Sequence, residues 1–252
     1  MIIFYDVASK TPGLAWAPNP WKTRFTLNYK GIPYTTEWVE FPDIEAKCKE
    51  TGIPPGEVKA DGTPIYILPA IWDPSTKTGV ANSLRIAEYL DKTYPDTPRV
   101  CFDGLDEYNH IMTSFKTLPE LKPIPRFTLP LVYERIINPA SQGYFRRTRE
   151  AAFGRKVEEL VLTGKEREEA WNQVRQGFNI VDGWLQKNGG PYARGDQISI
   201  VDFVWGGPLM WCKILWGENS ELWQDVLTWN DGRWKAYMEN LEKYAEPVQM
   251  VN

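Results

Sequence analysis

The chain has 252 residues, of which 42% are hydrophobic and 25% are charged, and its formal net charge is −4. This length exceeds a typical domain of about 100–150 residues, and the composition is that of a globular protein rather than a disordered one. The negative charge argues against a nucleic-acid-binding protein, because a surface that binds phosphates normally shows an excess of Lys and Arg.

The first predicted elements are a strand, a helix and a second strand. Ile2 to Asp6 is a short apolar run that is typical of a buried strand, and Tyr34 to Glu40 alternates and is rich in Thr and aromatic residues. Between them, apolar residues on a charged background predict a helix with Asn19 as N-cap, Pro20 as first helical residue and Gly31 at its end. This order predicts a parallel crossover unit.

A proline interrupts the next strand-like segment, Pro64 to Asp73. Pro69 cannot donate a hydrogen bond within a sheet, so it conflicts with a central strand. A cis bond between Leu68 and Pro69 at the start of the strand resolves this conflict, with Leu68 in the preceding loop. The other elements predicted here are a short helix at 43–49, a Pro/Gly loop at 51–62, a brief strand at 79–80 and a helix at 83–93.

Strand signals fade beyond residue 104. A boundary at 95–103 therefore separates two predicted domains, an α/β domain at 1–95 and an all-α domain at 104–252. The proline-rich stretch from Pro119 to Pro130 predicts a break between helices. The predicted helices are near 104–118, 141–162, 165–187, 200–215 and 231–243.

Several polar residues are interpreted as structural. Ser199 and Asp202 have capping-box spacing ahead of an apolar helix, so Asp202 is not assigned as a catalytic acid. His110 has no partner for metal or triad chemistry, so no metal site is expected. A solvated helix face is assigned to Arg146, Arg147, Arg149 and Arg155.

The cysteines and aromatic residues indicate the compartment and the kind of ligand. Cys48, Cys101 and Cys212 are odd in number and widely separated, which is typical of a reducing compartment. No stretch has the roughly 18 apolar residues of a membrane span, so we expect a cytoplasmic protein without a membrane partner. The 12 Trp, 12 Tyr and 10 Phe residues favour a site for flat, apolar ligands.

The Leu68-Pro69 junction, followed by Asn82-Ser83 at the start of a helix, resembles the cytosolic glutathione transferases, and the resemblance covers essentially the whole chain. The segments 12–24 and 87–95 resemble the fungal-specific class A, relatives of bacterial lignin β-etherases. The resemblance implies the glutathione-transferase fold, which is an α/β thioredoxin-like domain that binds glutathione and an all-α domain that binds a second, aromatic or apolar ligand. It also implies a homodimer.

The resemblance implies that glutathione is a substrate bound along Leu68, Pro69, Asn82 and Ser83. The Leu68 backbone would pair with the cysteinyl residue like an added strand, and Ser83 would bind the γ-glutamyl carboxylate at a helix N-terminus. The alternatives are a simple turn at Leu68 and a capping role for Ser83 or Asn82. The family usually has an acidic residue where Asn82 stands, so about 1 kcal/mol of a charge-assisted bond to the glutathione amine is missing.

The remaining ligand contacts are candidates on weaker grounds. Lys59 and Lys47 are candidates for the glycyl carboxylate, with an exposed surface lysine as the alternative for each. The second ligand is expected beside the glutathione thiol or between the domains, with Trp16, Tyr108 and Phe115 as candidates.

Transferases of the serine type have a Ser before the proline that leads into the first helix, where its hydroxyl donates to the glutathione thiolate. This chain has Ala17 there. A hydrogen bond to a charged group contributes about 1.5–3 kcal/mol, or about one to two pKa units of a thiol. The helix N-terminus near Trp21 and the Asn19 side chain remain as candidate donors.

Two functional hypotheses follow. The first is a weakened glutathione transferase or β-etherase relative that acts on wood-derived or xenobiotic aromatic compounds. The second is a non-catalytic ligandin that sequesters polyphenols. A regulatory or structural protein of the same fold with no small ligand is a third alternative.

Overall fold

The computed structural model describes residues 1–246. The elements of the N-terminal part, in chain order, are β1 (Ile2–Val7), α1 (Pro18–Tyr29), β2 (Tyr34–Val39), α2 (Ile44–Glu50), β3 (Glu57–Val58), β4 (Pro64–Ile65), β5 (Ala70–Asp73), β6 (Thr78–Ala81) and α3 (Ser83–Thr93). Four strands form a mixed sheet in the order β2-β1-β5-β6. Strand β1 pairs parallel to β2 and antiparallel to β5, so the predicted parallel crossover unit is confirmed.

Strand β1 is buried on both faces. Ile2 and Phe4 point into a small core that Leu27 of α1 and Ile86 and Leu90 of α3 complete. The alternate residues Tyr5 and Val7 belong to the main core of the protein. A strand that is covered on both faces needs apolar residues at successive positions, so it can be predicted from a continuous apolar run in the sequence.

Helix α1 begins two residues earlier than the sequence predicted. Its N-cap is Ala17, and Asn19 is its second residue, so the assignment of Asn19 as N-cap is wrong. Pro18 and Pro20 both fit the first turn, because the first N–H groups of a helix have no partner within it. The Asn19 side chain instead accepts a hydrogen bond from Nζ of Lys22 at 2.8 Å.

The peptide bond between Leu68 and Pro69 is cis, as predicted. It lies just before β5, where Ala70 begins the pairing with β1 and β6. The strand-like segment of the sequence is therefore two short strands, β4 and β5, and Leu68 lies in the loop between them.

The rest of the described chain is helical. Its helices are α4 (Asn109–Thr117), α5 (Ile124–Leu131), α6 (Pro139–Phe153), α7 (Gly164–Gln186), α8 (Ile200–Trp216) and α9 (Glu221–Glu242), with a π-helical turn at Val132–Ile136 and 3-10 turns at Leu105–Tyr108, Pro119–Leu121 and Val157–Leu160. A thioredoxin-like α/β part followed by an all-α part is thus confirmed. Residues 247–252 of the predicted second domain lie outside the described residues.

Three helix predictions are wrong in their boundaries. The break expected from Pro119 to Pro130 contains α5, because Pro125 lies in its first turn, where no N–H is needed. The helix predicted at 141–162 ends at Phe153, since Gly154 adopts a left-handed φ of 65°. Helix α9 starts ten residues before the predicted 231, and non-helical residues at 229–232 kink it there.

Helix α8 fixes the position of the α1 N-terminus. A Cβ atom on Gly207 would lie 2.4 Å from the carbonyl oxygen of Pro18, so only glycine allows this approach of the two helices. Further along, Phe25 of α1 stacks on Phe203 of α8 with ring centroids 5.7 Å apart. The first turn of α1 is therefore held against the helical part of the protein.

The capping box at the start of α8 is present, as predicted. Asp202 is buried and accepts hydrogen bonds from the N–H of Ser199 at 2.9 Å, the N–H of Ala193 at 2.8 Å and the hydroxyl of Tyr237 at 3.0 Å. Burial raises the pKa of Asp202 to about 6. These contacts join α8, α9 and the preceding loop, which supports a structural role.

Candidate functional site

A cavity of about 200 Å³ lies between the thioredoxin-like part and the helical part. Its N-terminal wall is formed by the end of β1, the 3-10 turn at Phe41–Asp43 that follows β2, the cis-proline loop and the start of α1. Its other wall is formed by α5, the π-helical turn, α6 and α8. The lining residues are Val7, Trp16, Ala17, Pro18, Asn19, Pro20, Phe41, Leu68, Leu129, Val132, Phe145, Arg149 and Trp211.

Ala17 lies in the cavity wall as the N-cap of α1, and its side chain is buried. Pro18 and Pro20 have no N–H group, and the N–H of Trp21 donates to the carbonyl of Ala17 at 3.3 Å. The Trp21 amide is therefore not available to a ligand. In the described chain, the first turn of α1 presents one unpaired amide, that of Asn19.

The predicted tryptophans are held by their indole groups. Nε1 of Trp16 donates to the carbonyls of Val7 at 3.1 Å and Ala8 at 3.3 Å, and its ring packs edge-on against Phe41. Trp21 is buried beside the cavity rather than in its lining, and Nε1 donates to the carbonyl of Ala15 at 3.2 Å. Trp16 is thus a fixed aromatic wall, while Trp21 supports the α1 turn.

Leu68, Pro69, Asn82 and Ser83 come together at one edge of the sheet. The N–H of Asn82 donates to the carbonyl of Pro69 at 3.1 Å, which joins the cis-proline loop to the start of α3. Within the described residues, neither the N–H nor the C=O of Leu68 has a hydrogen-bond partner. Both groups are free to pair with an extended peptide.

Of the two residues that could cap α3, Asn82 and Ser83, Asn82 is the one that does so. Its Oδ1 accepts the N–H of Leu84 at 3.0 Å, and its backbone has a positive φ of 83°. Ser83 is the first residue of α3, and no hydrogen bond in the described chain engages its hydroxyl. The hydroxyl and the positive end of the helix therefore present a site for an anion.

The two lysine candidates lie in different environments. Nζ of Lys47 forms ion pairs with Glu37 at 2.8 Å and with Glu50 at 3.4 Å. Lys59 is exposed in the turn between β3 and β4, where its N–H donates to the carbonyl of Thr63. Neither side chain lines the cavity.

The two remaining aromatic candidates are separated by the structure. Phe115 lines a second cavity of about 150 Å³ that adjoins the first, and its ring centroid is 4.3 Å from that of Trp205. Tyr108 is half-buried beside Arg194, whose guanidinium carbon lies 5.8 Å from its ring centroid. Tyr108 lines neither cavity.

Sequence reasoning missed the residues that α6 contributes. Phe145 and Arg149 line the first cavity opposite Ala17, and Phe41 packs against Phe145 with ring centroids 6.0 Å apart. Arg149 was assigned to a solvated face, and this is wrong, because its side chain packs on Phe145 and burial lowers the pKa of its guanidinium. Arg146 does lie on such a face, paired with Glu150 and Glu158.

The three cysteines are free and buried. Burial raises the pKa of the Cys48 thiol, that of Cys101 to about 12, and that of Cys212 above its usual range. A thiolate at any of these positions is therefore unfavourable at neutral pH. None of the three thiols lines the cavity.

Residues 1–246 contain no cluster of three His, Cys, Asp or Glu side chains that could hold a metal ion. His110 packs edge-on against Trp184, with ring centroids 4.7 Å apart. Over the same range, no helix combines the length and the apolar character that a membrane span needs.

Comparison with known proteins gives the same family over both parts of the chain. The N-terminal domain model of glutathione S-transferases matches residues 16–93, and the C-terminal domain model matches residues 113–244. A glutathione S-transferase of Ceriporiopsis subvermispora, solved in complex with glutathione, is 41% identical over 99% of both chains, with a TM-score of 0.88. Glutathione transferase GSTFuA3 from Phanerochaete chrysosporium is 40% identical over 99% of this chain and 98% of that one, with a TM-score of 0.88. The glutathione S-transferase-like protein ustS of Aspergillus flavus is 30% identical, covering 96% of this chain and 92% of its own. The chain therefore belongs to the glutathione S-transferase family.

Proposed function

We propose that the protein binds glutathione as a substrate along Leu68, Pro69, Asn82 and Ser83, with the thiol beside Ala17. The observation that carries this proposal is that the free backbone groups of Leu68 and the free hydroxyl of Ser83 lie on either side of the hydrogen bond between Asn82 and Pro69. A peptide laid along this edge would pair with Leu68 and place its carboxylate at the α3 N-terminus. The similar Ceriporiopsis protein was solved in complex with glutathione, which supports the proposal.

The second ligand in this proposal is an apolar aromatic compound, of wood or xenobiotic origin, bound in the first cavity and detoxified. Trp16, Phe41, Phe145 and Trp211 give the cavity flat walls on both sides. Aromatic walls with few polar groups favour ring-shaped ligands. The likeness to GSTFuA3 supports placing the protein near the fungal-specific class A.

Conjugation is weakened in this proposal because Ala17 stands where serine-type transferases have a hydroxyl. Asn19 is left as the donor at the α1 N-terminus. Its backbone N–H is unpaired, and its Nδ2 group is available because only Oδ1 is engaged by Lys22. A thiolate beside Ala17 would accept from Asn19 and be stabilised by the helix dipole.

Calorimetry with glutathione and a conjugation assay with a chloronitrobenzene electrophile test the proposal together. We expect saturable glutathione binding and slow conjugation above the uncatalysed rate. Quenching of Trp fluorescence by a panel of polyphenols tests the second ligand. Absence of glutathione binding at millimolar concentration would contradict the proposal and favour the regulatory alternative.

Ala17 also favours a second candidate function, a ligandin that sequesters polyphenols without turnover. Saturable polyphenol quenching combined with a conjugation rate equal to the uncatalysed one would establish it. In either form, we propose a cytoplasmic homodimer that binds neither nucleic acid nor metal. Light scattering of the purified protein tests the dimer.

A further inference from the structure

The first cavity adjoins the second cavity beside Trp211. Pro18, Asn19 and Trp211 line both of them. Each cavity alone is smaller than a usual ligand pocket of about 300–1,000 Å³, but together they reach the lower end of that range. We call the two cavities the interdomain cleft.

Among residues 1–246, three cationic side chains and no acidic side chain line the interdomain cleft. Arg149 lines the first cavity, and Lys22 and Lys116 line the second. Among the described residues, no carboxylate lies within 4 Å of any of the three, although the protein as a whole has a net charge of −4. The cleft is thus positive in a protein that is negative overall.

Arg149 lies against aromatic rings instead of a carboxylate. Its guanidinium carbon is 5.0 Å from the ring centroid of Phe145 and 6.0 Å from that of Phe41. Its hydrogen-bond partner in the described chain is the hydroxyl of Thr148, at 3.4 Å. A planar guanidinium held in this way keeps most of its N–H groups available for a carboxylate or sulfonate.

Lys22 and Lys116 place two positive charges at the other end of the cleft. Nζ of Lys22 donates to Oδ1 of Asn19 at 2.8 Å, and Lys116 is exposed at the rim. Burial together with the charge of Lys116 lowers the pKa of Lys22 to about 8. An anion between them would offset both the burial of Lys22 and the repulsion between the lysines.

We propose that the interdomain cleft selects aromatic ligands that carry a negative charge, with the rings between the apolar walls and the anion at Arg149 or at the Lys22–Lys116 pair. This inference rests on the proposed function, because it assumes that an aromatic ligand occupies the cleft. It adds that neutral aromatic compounds are the poorer ligands.

Two fluorescent probes with the same rings test the proposal. 1-Anilinonaphthalene-8-sulfonate carries a negative charge, and N-phenyl-1-naphthylamine lacks the sulfonate and is neutral. Titrations at pH 7, with and without glutathione, give the ratio of their dissociation constants. We expect sulfonate binding to weaken about tenfold in the variant at the end of the cleft that binds the anion, which is either Arg149→Met or Lys22→Met combined with Lys116→Met. Binding of the neutral probe should be unchanged in both variants. Arg149→Lys should retain most of the sulfonate affinity.

Arg147→Met is the matched control. Arg147 is on the same helix, is exposed and lines neither cavity, and its removal changes the net charge equally. A probe ratio that stays constant in all cleft variants, or that changes equally in Arg147→Met, would overturn the inference.

Calorimetry with glutathione separates the two proposals. If Arg149→Met weakens glutathione binding and leaves the probe ratio constant, Arg149 binds the glycyl carboxylate, and the charge selection is refuted at that residue. If the neutral probe binds but the ratio never changes, the aromatic cleft survives and the charge selection fails. If neither probe binds, the aromatic part of the proposed function fails as well.

Discussion

The backbone N–H of Asn82 donates to the carbonyl of Pro69 at 3.1 Å. The bond joins the residue after the cis peptide to the residue before α3, so Leu68 and Ser83 lie on either side of it. Both partners flank the ends of the paired strands β5 and β6. The two groups proposed to bind glutathione are therefore held by the sheet and not by a free loop, which favours a preformed site.

Ser83→Ala should weaken glutathione binding by about 1–3 kcal/mol, because a carboxylate at the α3 N-terminus would lose a hydroxyl donor. Calorimetry measures this directly. Asn82 already caps α3, so the substitution should leave the melting temperature nearly unchanged. Equal affinity for the two proteins would show that the hydroxyl takes no part in binding.

Asn82→Asp should strengthen glutathione binding about fivefold to tenfold. A carboxylate restores a charge-assisted bond to the glutathione amine, at about 1 kcal/mol. An aspartate tolerates the positive φ of this position and can still accept the N–H of Leu84. The Asn82→Asp variant should show the same gain with S-methyl glutathione, which keeps the amine, whereas an analogue without the amine should show none.

The features predicted from sequence are those that local chemistry determines. A proline within a strand pattern predicted a cis bond at Leu68-Pro69, the spacing of Ser199 and Asp202 predicted a capping box, and both predictions are confirmed. The start of α1 was misplaced because Pro18 and Pro20 satisfy the same rule for a first helical turn equally well. The pattern did not contain the information to choose between them.

Arg149 could not be assigned from sequence because its role depends on long-range packing. Arg146 and Arg149 are three residues apart on α6, and both have glutamates nearby in the chain. The return of the chain after Gly154 brings Glu158 to Arg146. The packing of α6 against Phe41 turns Arg149 towards the cavity instead. Neither contact has a local signature in the sequence.

Asp202→Asn should lower the free energy of unfolding by about 3 kcal/mol at pH 7. Both carboxylate oxygens accept hydrogen bonds, Oδ1 from Ala193 and Tyr237 and Oδ2 from Ser199, so an amide places an N–H against donors. Urea unfolding measures the loss. A change below about 1 kcal/mol would contradict the structural role of the capping box.

The stabilising effect of Asp202 should also depend on pH. Burial raises its pKa to about 6 in the folded protein, from 3.8. The folded state then binds the proton of Asp202 more tightly than the unfolded state does. The stabilisation of the folded state by this proton is therefore complete below about pH 4 and is lost as the pH rises to about 6. The difference in unfolding free energy between wild type and Asp202→Asn should therefore be larger at pH 4 than at pH 7.

Ala17→Ser should raise the conjugation rate at neutral pH by up to about tenfold to a hundredfold. The side chain of residue 17 lies in the cavity wall at the N-cap of α1, so a hydroxyl there can donate to the thiolate. A lower thiol pKa increases the thiolate fraction, although it also lowers nucleophilicity and reduces part of the gain. The pH dependence of conjugation to a chloronitrobenzene electrophile measures both effects.

Ala15→Ser is the control, because Ala15 is two residues away and lines neither cavity. Asn19→Ala tests the donor that the structure leaves at the helix start. If Asn19 stabilises the thiolate, its loss should raise the apparent pKa of conjugation in wild type and have a smaller effect in the Ala17→Ser background. A wild-type pKa well below that of a free thiol, unchanged by Ala17→Ser, would show that Asn19 and the helix N-terminus suffice and that Ala17 is not a defect.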